Sequence, residues 1–324
     1  MALDLVALGE LLIDFTTPAA DESGYPTLAA HPGGAPANFL AAAAAGGART
    51  ALLGKVGTDV FGELLCRTLQ TAGIDTRGVL RDDEVFTTLA FVTLDETGDR
   101  SFSFARKPGA DTCLQAQELN TDLLAEAKAL HFGTLSLTHE PARTATQKAV
   151  ALAKAQGKLI TCDPNLRPPL WADLAEARRQ IQWALAQADV VKLSDVEAEF
   201  LFGAGVDLPG AAQRILTEYG VKLVFLTCGA QGCLFATRSA CGRVPALPGV
   251  QPVDTTGAGD IFGGTAVWQL LCTGKAPEAL TEEELRRITA AACAAAGLST
   301  QKAGGISSVP TAAQLAEALQ RYAL

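Results

Sequence analysis

The stretch VDTTGAGDIFGGTAVWQLL, residues 253–271, holds a carboxylate where chemistry could be done. Thr255, Thr256, Gly257, Ala258 and Gly259 are small, and an amphipathic helical pattern follows them. Small residues at a helix start expose backbone N–H groups, and the helix dipole adds positive potential there. Gly257, Ala258 and Gly259 therefore read as an anion hole. Asp260 falls in the first turn of that helix. An aspartate in such a place often only caps the helix. Beside an anion hole that holds a phosphoryl group, the same carboxylate can take the proton of an attacking hydroxyl.

A second stretch, HPGGAPANFLAAAAAGG at 31–47, supplies Gly33 and Gly34 for close backbone approach, and Asn38, whose amide both donates and accepts and so suits sugar hydroxyls. Taken alone it is equally a plain loop-to-helix start. His31, His131 and His139 pair with no cysteine or carboxylate in a recognisable motif and read as structural. The eight cysteines have no metal spacing; four residues lie between Cys228 and Cys233, and no C-x-x-C occurs. They read as reduced, small apolar residues.

Other nucleotide signatures fail on particular residues. Around Gly54-Lys55 a P-loop would need glycine at Arg49 and a hydroxyl at Val56. Gly257 and Gly259 are followed by Phe262 where a dinucleotide fingerprint needs its third glycine. A net charge of −9 argues against binding nucleic acid, although local N–H groups can still hold a nucleotide phosphate. No run has the length and continuity of a membrane span. The opening MALDLVALGELLIDF reads as a first strand rather than a signal peptide. A cytoplasmic protein is expected, with neither membrane nor nucleic acid as a partner.

The elements that must position these residues follow from periodicity. Short apolar runs at 5–8, 50–57, 129–133, 158–163, 189–193 and 223–229 read as buried strands. Helical patterns at 36–47, 60–73 and 142–157 end in glycine. This alternation predicts a mostly parallel sheet covered on both faces, and with 48% hydrophobic residues the chain can bury a large core. Residues 14–33, with Pro18, Gly24, Pro26 and Pro32, read as a loop. Residues 85–105 alternate as a hairpin turning at 96–99, which suits a lid over the sheet edge. The alanine runs 41–45 and 290–296 suit close helix packing.

The pairing of GGAPAN (33–38) with DTTGAGDIFGG (254–264) resembles the PfkB carbohydrate kinase family, which includes ribokinase and fructokinase, and the likeness runs in order over nearly the whole chain. GGAPAN, CDPNLRPPLW (162–171), VKLSDVEAEFL (191–201) and LTCGAQGC (226–233) are most similar to the fructokinase branch. The resemblance implies one ribokinase-like domain over 1–324: a three-layer α/β/α sandwich with a small β lid from about 14–33 and 85–106. It implies phosphorylation of a free sugar by ATP with Mg²⁺, fructose first, with 2-keto-3-deoxygluconate or ribose as alternatives. A homodimer is compatible with it. A catalytically inactive relative would lack the base or the anion-hole glycines, and Asp260, Gly257 and Gly259 are present.

Residue by residue, the resemblance makes Asp260 the base and assigns the sugar to Asp14, Gly33, Gly34 and Asn38, with Arg106 reaching in from the lid. It puts Asn165 and Arg167 near the sugar or the transferred phosphate. Lys192, Ser194, Glu197, Thr227, Gly229 and Gly232 fall on the nucleotide side, Glu197 ordering water on Mg²⁺. Asp254, Thr256, Gly304 and Ser308 resemble a monovalent-cation site suited to K⁺. Two positions depart from the family pattern. Ser194 opens the S-x-x-E of 194–197 where members often have Asn, and Ala291 stands where many have Asn beside the adenine.

Overall fold

Alternating strand and helix does produce a parallel sheet. The computed structural model describes residues 2–94 and 100–321. Its strands are β1 (Leu3–Leu8), β2 (Leu12–Ala20), β3 (Pro26–Gly33), β4 (Thr50–Gly57), β5 (Ile74–Asp75), β6 (Val79–Asp82), β7 (Thr88–Leu94), β8 (Arg100–Ala105), β9 (Ala127–Gly133), β10 (Leu159–Asp163), β11 (Val190–Ser194), β12 (Leu223–Thr227), β13 (Cys233–Ala236) and β14 (Cys241–Val244). The α-helices are α1 (Ala35–Ala45), α2 (Val60–Thr71), α3 (Thr121–Glu126), α4 (Ala142–Ala155), α5 (Leu174–Gln187), α6 (Asp195–Phe202), α7 (Leu208–Glu218), α8 (Ala258–Thr273), α9 (Glu282–Ser299) and α10 (Ala312–Gln320).

The main sheet runs β14-β13-β12-β11-β10-β9-β1-β4-β5, with β6 beside β4. It is parallel except for the β13–β14 edge. Successive side chains of a strand face opposite ways. In β12, Val224 and Leu226 pack with α3–α7 on one face, while Leu223 and Phe225 pack with α8 and α9 on the other. Both faces are covered, which is why these strands read as continuous apolar runs. No helix among the described residues is long and apolar enough to cross a membrane.

Two sequence expectations need correction. Residues 14–33 are not a loop: β2 and β3 form an antiparallel hairpin, and β2 also pairs in parallel with β7. With the expected β7–β8 hairpin this makes a separate four-stranded sheet, β3-β2-β7-β8. Pro26 and Pro32 are tolerated because β3 is an edge strand, where a missing N–H breaks no ladder. The turn expected at 96–99 lies outside the described residues. Helix α8 is not amphipathic either. Ile261, Phe262, Gly263, Gly264, Thr265, Ala266, Val267 and Leu270 are all buried, so it is a core helix.

Helices α1 and α8 cross closely, and the small residues explain why. A Cβ at Gly264 would collide with the backbone oxygen of Phe39, so only glycine lets the two backbones approach this far. That crossing brings two distant motifs face to face.

Candidate active site

The carboxyl ends of β1, β9, β10, β11 and β12 share one edge of the sheet, where ligands bind in open α/β folds. A cleft of about 570 Å³ opens there, lined by Glu10, Asp14, Gly34, Asn38, Phe104, Asn165, Arg167, Lys192, Glu197, Thr256, Gly257, Gly259 and Asp260 among others. A second cavity of about 360 Å³ adjoins it and shares Thr227, Thr255 and Gly259. Its walls are mainly apolar or small: Ala246, Leu247, Val250, Phe262, Cys293, Ala296 and Gly297. One continuous path thus runs from a polar chamber, past the start of α8, into an apolar slot.

Among the described residues most α-helices carry a side-chain cap, and α1, α4 and α8 do not. Helices α2, α5, α6, α7, α9 and α10 have side-chain caps: Asp59, Asp173, Ser194, Asp207, Thr281 and Thr311. At the cleft, α1 and α8 start instead from Gly34 and Gly257, neither of which supplies a side-chain cap. Gly257 takes a left-handed conformation, φ 75°, that glycine adopts without steric cost. The start of α8 thus has no side-chain cap for its first N–H groups, an arrangement that favours an anion. The Ala258 N–H is turned toward the Thr255 carbonyl at 3.3 Å, a long bond. This leaves the N–H groups of Gly257 and Gly259 as the better donors to an anion.

Asp260 stands in that first turn, half-buried, and Asn38 Nδ2 donates to its Oδ2 at 2.9 Å. Burial pushes its carboxyl up to about 6, with the Asp163 charge adding to the effect, while the Asn38 bond, Lys192 and Arg167 pull the other way. A carboxylate so placed is a stronger base than one in water yet still ionised at neutral pH. Lys192 is held by Asp163, Nζ to Oδ2 2.9 Å, and the other Asp163 oxygen accepts from Asn165 N at 3.2 Å. Asn165 sits at φ 49°, so that one carboxylate fixes both an ammonium and a turn on the cleft wall. Asp14 lies on the opposite wall, its carboxyl raised to about 7 by burial, with the Arg167 charge opposing.

Glu197 lines the cleft, but both its oxygens are engaged. Oε1 accepts from Leu166 N at 2.7 Å, and Oε2 accepts from Ser194 N at 2.7 Å and Ser194 Oγ at 2.9 Å. Ser194 and Glu197 thereby form a capping box on α6, so serine does structural duty at the position where relatives often have asparagine. Thr227, Gly229 and Gly232 line the second cavity. Asp254 Oδ1 accepts from Thr256 N and its Oδ2 from Gly304 N, both at 2.9 Å, which ties the approach to α8 to the 304–308 segment. The Ser308 Oγ hydroxyl donates to Gly305 O at 2.8 Å.

Three expectations are not met in place. Arg106 does not reach the cleft. Its Nε and Nη2 bond Asp111 Oδ2 at 2.9 and 2.6 Å, and Nη1 bonds Thr138 Oγ1 at 2.9 Å. A buried carboxylate five residues on holds that guanidinium. Gly33 stands behind the Asp14 carboxylate rather than on the cleft wall. Ala291 is buried inside α9, and the α9 side of the apolar slot is Cys293, Ala296 and Gly297. The histidines are structural. His131, for example, stacks on Phe39 at 3.6 Å and is pushed down to about 3, so it stays neutral. Glu10 and Phe104 carry no motif signal, and Asp163 lies within CDPNLRPPLW without a role that the run itself assigns.

Residues 2–312 match the pfkB family carbohydrate kinases. Fructokinase-1 of Zea mays is 41% identical over 320 residues, 98% of each chain. The fructokinase of Xylella fastidiosa with bound ATP superposes with a TM-score of 0.91 at 28% identity over all of both chains. A double mutant of the Vibrio cholerae fructokinase, with fructose, ADP and potassium bound, superposes at 0.87 and 31% identity over 98% of this chain and 99% of that one.

Proposed function

We infer that this chain, which belongs to the pfkB family of carbohydrate kinases, is a fructokinase that transfers the terminal phosphoryl group of ATP to fructose, giving fructose 6-phosphate and ADP. The observation that carries this reading is the contact of Asn38 with Asp260 at the uncapped start of α8. It supports a base lying between a polar chamber and an apolar slot. The sugar occupies the chamber, with its terminal hydroxymethyl group at Asp260. The nucleotide base occupies the slot, and its phosphates run past Gly259 toward Lys192.

In the transfer, Asp260 accepts the hydroxyl proton as the O–P bond forms and the bond to the ADP oxygen breaks. The N–H groups of Gly257 and Gly259 and the Lys192 ammonium stand against the charge on the moving phosphoryl group. Mg²⁺ neutralises and orients the nucleotide phosphates when bound. No group of three acidic, cysteine or histidine side chains among the described residues forms a cage for it. An ion that keeps several waters and arrives on the phosphates fits that wall, with Glu197 ordering its water. The Asp254–Gly304 tie fits a K⁺ ion bound by the same two segments. The four-stranded sheet acts as a lid that carries Asp14 and Phe104 over the sugar and excludes water.

The withdrawal of Arg106 into its pair with Asp111 favours a neutral acceptor over an acidic or phosphorylated one. Glu10 and Asp14 on the cleft wall add to this. An ADP-release assay over fructose, 2-keto-3-deoxygluconate, ribose and fructose 6-phosphate should give the highest kcat/KM for fructose. A preference of about 10-fold for an acid or a sugar phosphate, about 1.4 kcal/mol, overturns fructose as acceptor.

A further inference from the structure

Glu10 is the buried charged group at the cleft that the transfer just described does not use. It is 3% exposed and leaves β1 just before β2. Its Oε1 accepts from Ala35 N at 3.0 Å, across 25 residues. Ala35 is the first residue of α1, whose own N-cap, Gly34, has no side chain to cap with. Glu10 therefore caps α1 from another element, doing from a distance what an N-cap side chain does locally.

The next links of the chain lie in the same turn. The Gly34 carbonyl accepts from Asn38 N at 3.0 Å, and Asn38 Nδ2 donates to Asp260. Asn38 is 3% exposed, and its Oδ1 is buried without a hydrogen-bond partner. The amide orientation is set, because the carboxylate of Asp260 needs a donor. One side-chain bond is thus all that the Asn38 amide contributes to its own placement, and the backbone of the first α1 turn must hold it. Resting on Asp260 as the base, we propose that Glu10 is a positioning residue: by capping α1 it fixes Asn38, and through Asn38 the base.

The charged neighbours of Glu10 are Arg106 and Asp111, which act on it in opposite senses, and burial raises its carboxyl to about 7. Either protonation state leaves an oxygen to accept from Ala35. Hydrogen-bond acceptance rather than charge is then what the position requires, and glutamine keeps it.

The test compares Glu10→Ala, Glu10→Gln, Asn38→Ala and the Glu10→Ala/Asn38→Ala double variant in steady-state assays with fructose and ATP. Glu10→Ala should lower kcat by about 10-fold or more, the scale of a misplaced reacting group, with little change in the fructose KM. The double variant should be no slower than Asn38→Ala, because both act through one path. Asp260 is faced by Asp163, Lys192, Arg167 and Asn38. Loss of the Asn38 bond removes a stabiliser of the carboxylate. The acid limb of kcat should therefore move to higher pH in Glu10→Ala and in Asn38→Ala alike, and Glu10→Gln should recover most of kcat. Additive losses, a change in KM alone, an unmoved acid limb, or a glutamine variant as slow as the alanine one each overturn the proposal. An active Asp260→Asn would instead remove the base reading beneath it, whereas an inactive Asp260→Asn with a normal Glu10→Ala removes only Glu10.

Discussion

The two walls of the cleft rest on different physics. The wall carrying Asp260 is the start of a core helix, crossed so tightly by α1 that a single added Cβ would not fit. The wall carrying Asp14 and Phe104 is a four-stranded sheet that rests on the core through smaller contacts. Phe15 meets Phe61 of α2 edge-on at 5.5 Å, and Arg106 pairs with Asp111 below. Residues 26–28 of its outer edge are exposed. On the proposed reading, the reacting group sits on a tightly packed core helix, and the groups that admit the sugar sit on a sheet with fewer ties to the core.

The largest effect expected from this contrast is at the core wall. Asp260→Asn should lower kcat by at least ~10²–10³, the size of a general-base contribution, while nucleotide affinity holds, because Asn can still accept from Asn38. Near-normal turnover in that variant would take the base off the core wall and erase the contrast.

The second effect is at the other wall and is one of stability. Arg106→Leu leaves the Asp111 carboxylate buried with its guanidinium gone. Breaking one side of a buried pair costs about 3–5 kcal/mol. Thermal melting should show a large fall in Tm. With protein kept folded at low temperature, kcat/KM for fructose should fall through KM more than through kcat. A variant with unchanged Tm and a selective loss of acidic acceptors would return Arg106 to the ligand.

The core wall was also the legible one. Gly257 to Asp260 form a compact run whose chemistry depends on neighbours in sequence, and alternating apolar runs announced the main sheet. The lid wall was half read. Pro18, Gly24, Pro26 and Pro32 speak for a loop, and only the tertiary pairing shows that Pro26 and Pro32 lie on the edge strand β3 while Pro18 falls at a register irregularity between β2 and β3. The resemblance assigns Arg106 to the sugar, and nothing local in the sequence marks its pairing with Asp111. The edge hairpin β13–β14 and the short β5 and β6 fell below any periodic signal. Glu10 and Asp163 act on partners 25 and 29 residues away, and no local pattern records such a bond. Local chemistry is written in motifs; support for it comes from tertiary contacts.

The smallest effect, and the one that ties the base to its cost, is in pH. The Asp260 carboxyl is raised from 3.8 to about 6, chiefly by burial and next by Asp163. A base works ionised, so kcat should be half-maximal near pH 6 and fall about tenfold per unit below pH 5. Stability runs the other way. A folded-state value above the unfolded one means the folded protein holds that proton more tightly. The penalty is absent below pH 3.8, grows between 3.8 and 6, and is complete above 6. Asp260→Asn removes the charge and keeps the shape. It should therefore melt higher than the parent at pH 7.5, and the gap should close as the pH approaches 4. Melting curves of both proteins across that range check the sign. A variant that melts lower at pH 7.5 would mean the ionised carboxylate stabilises the fold, and burial would not then be what raises its pKa.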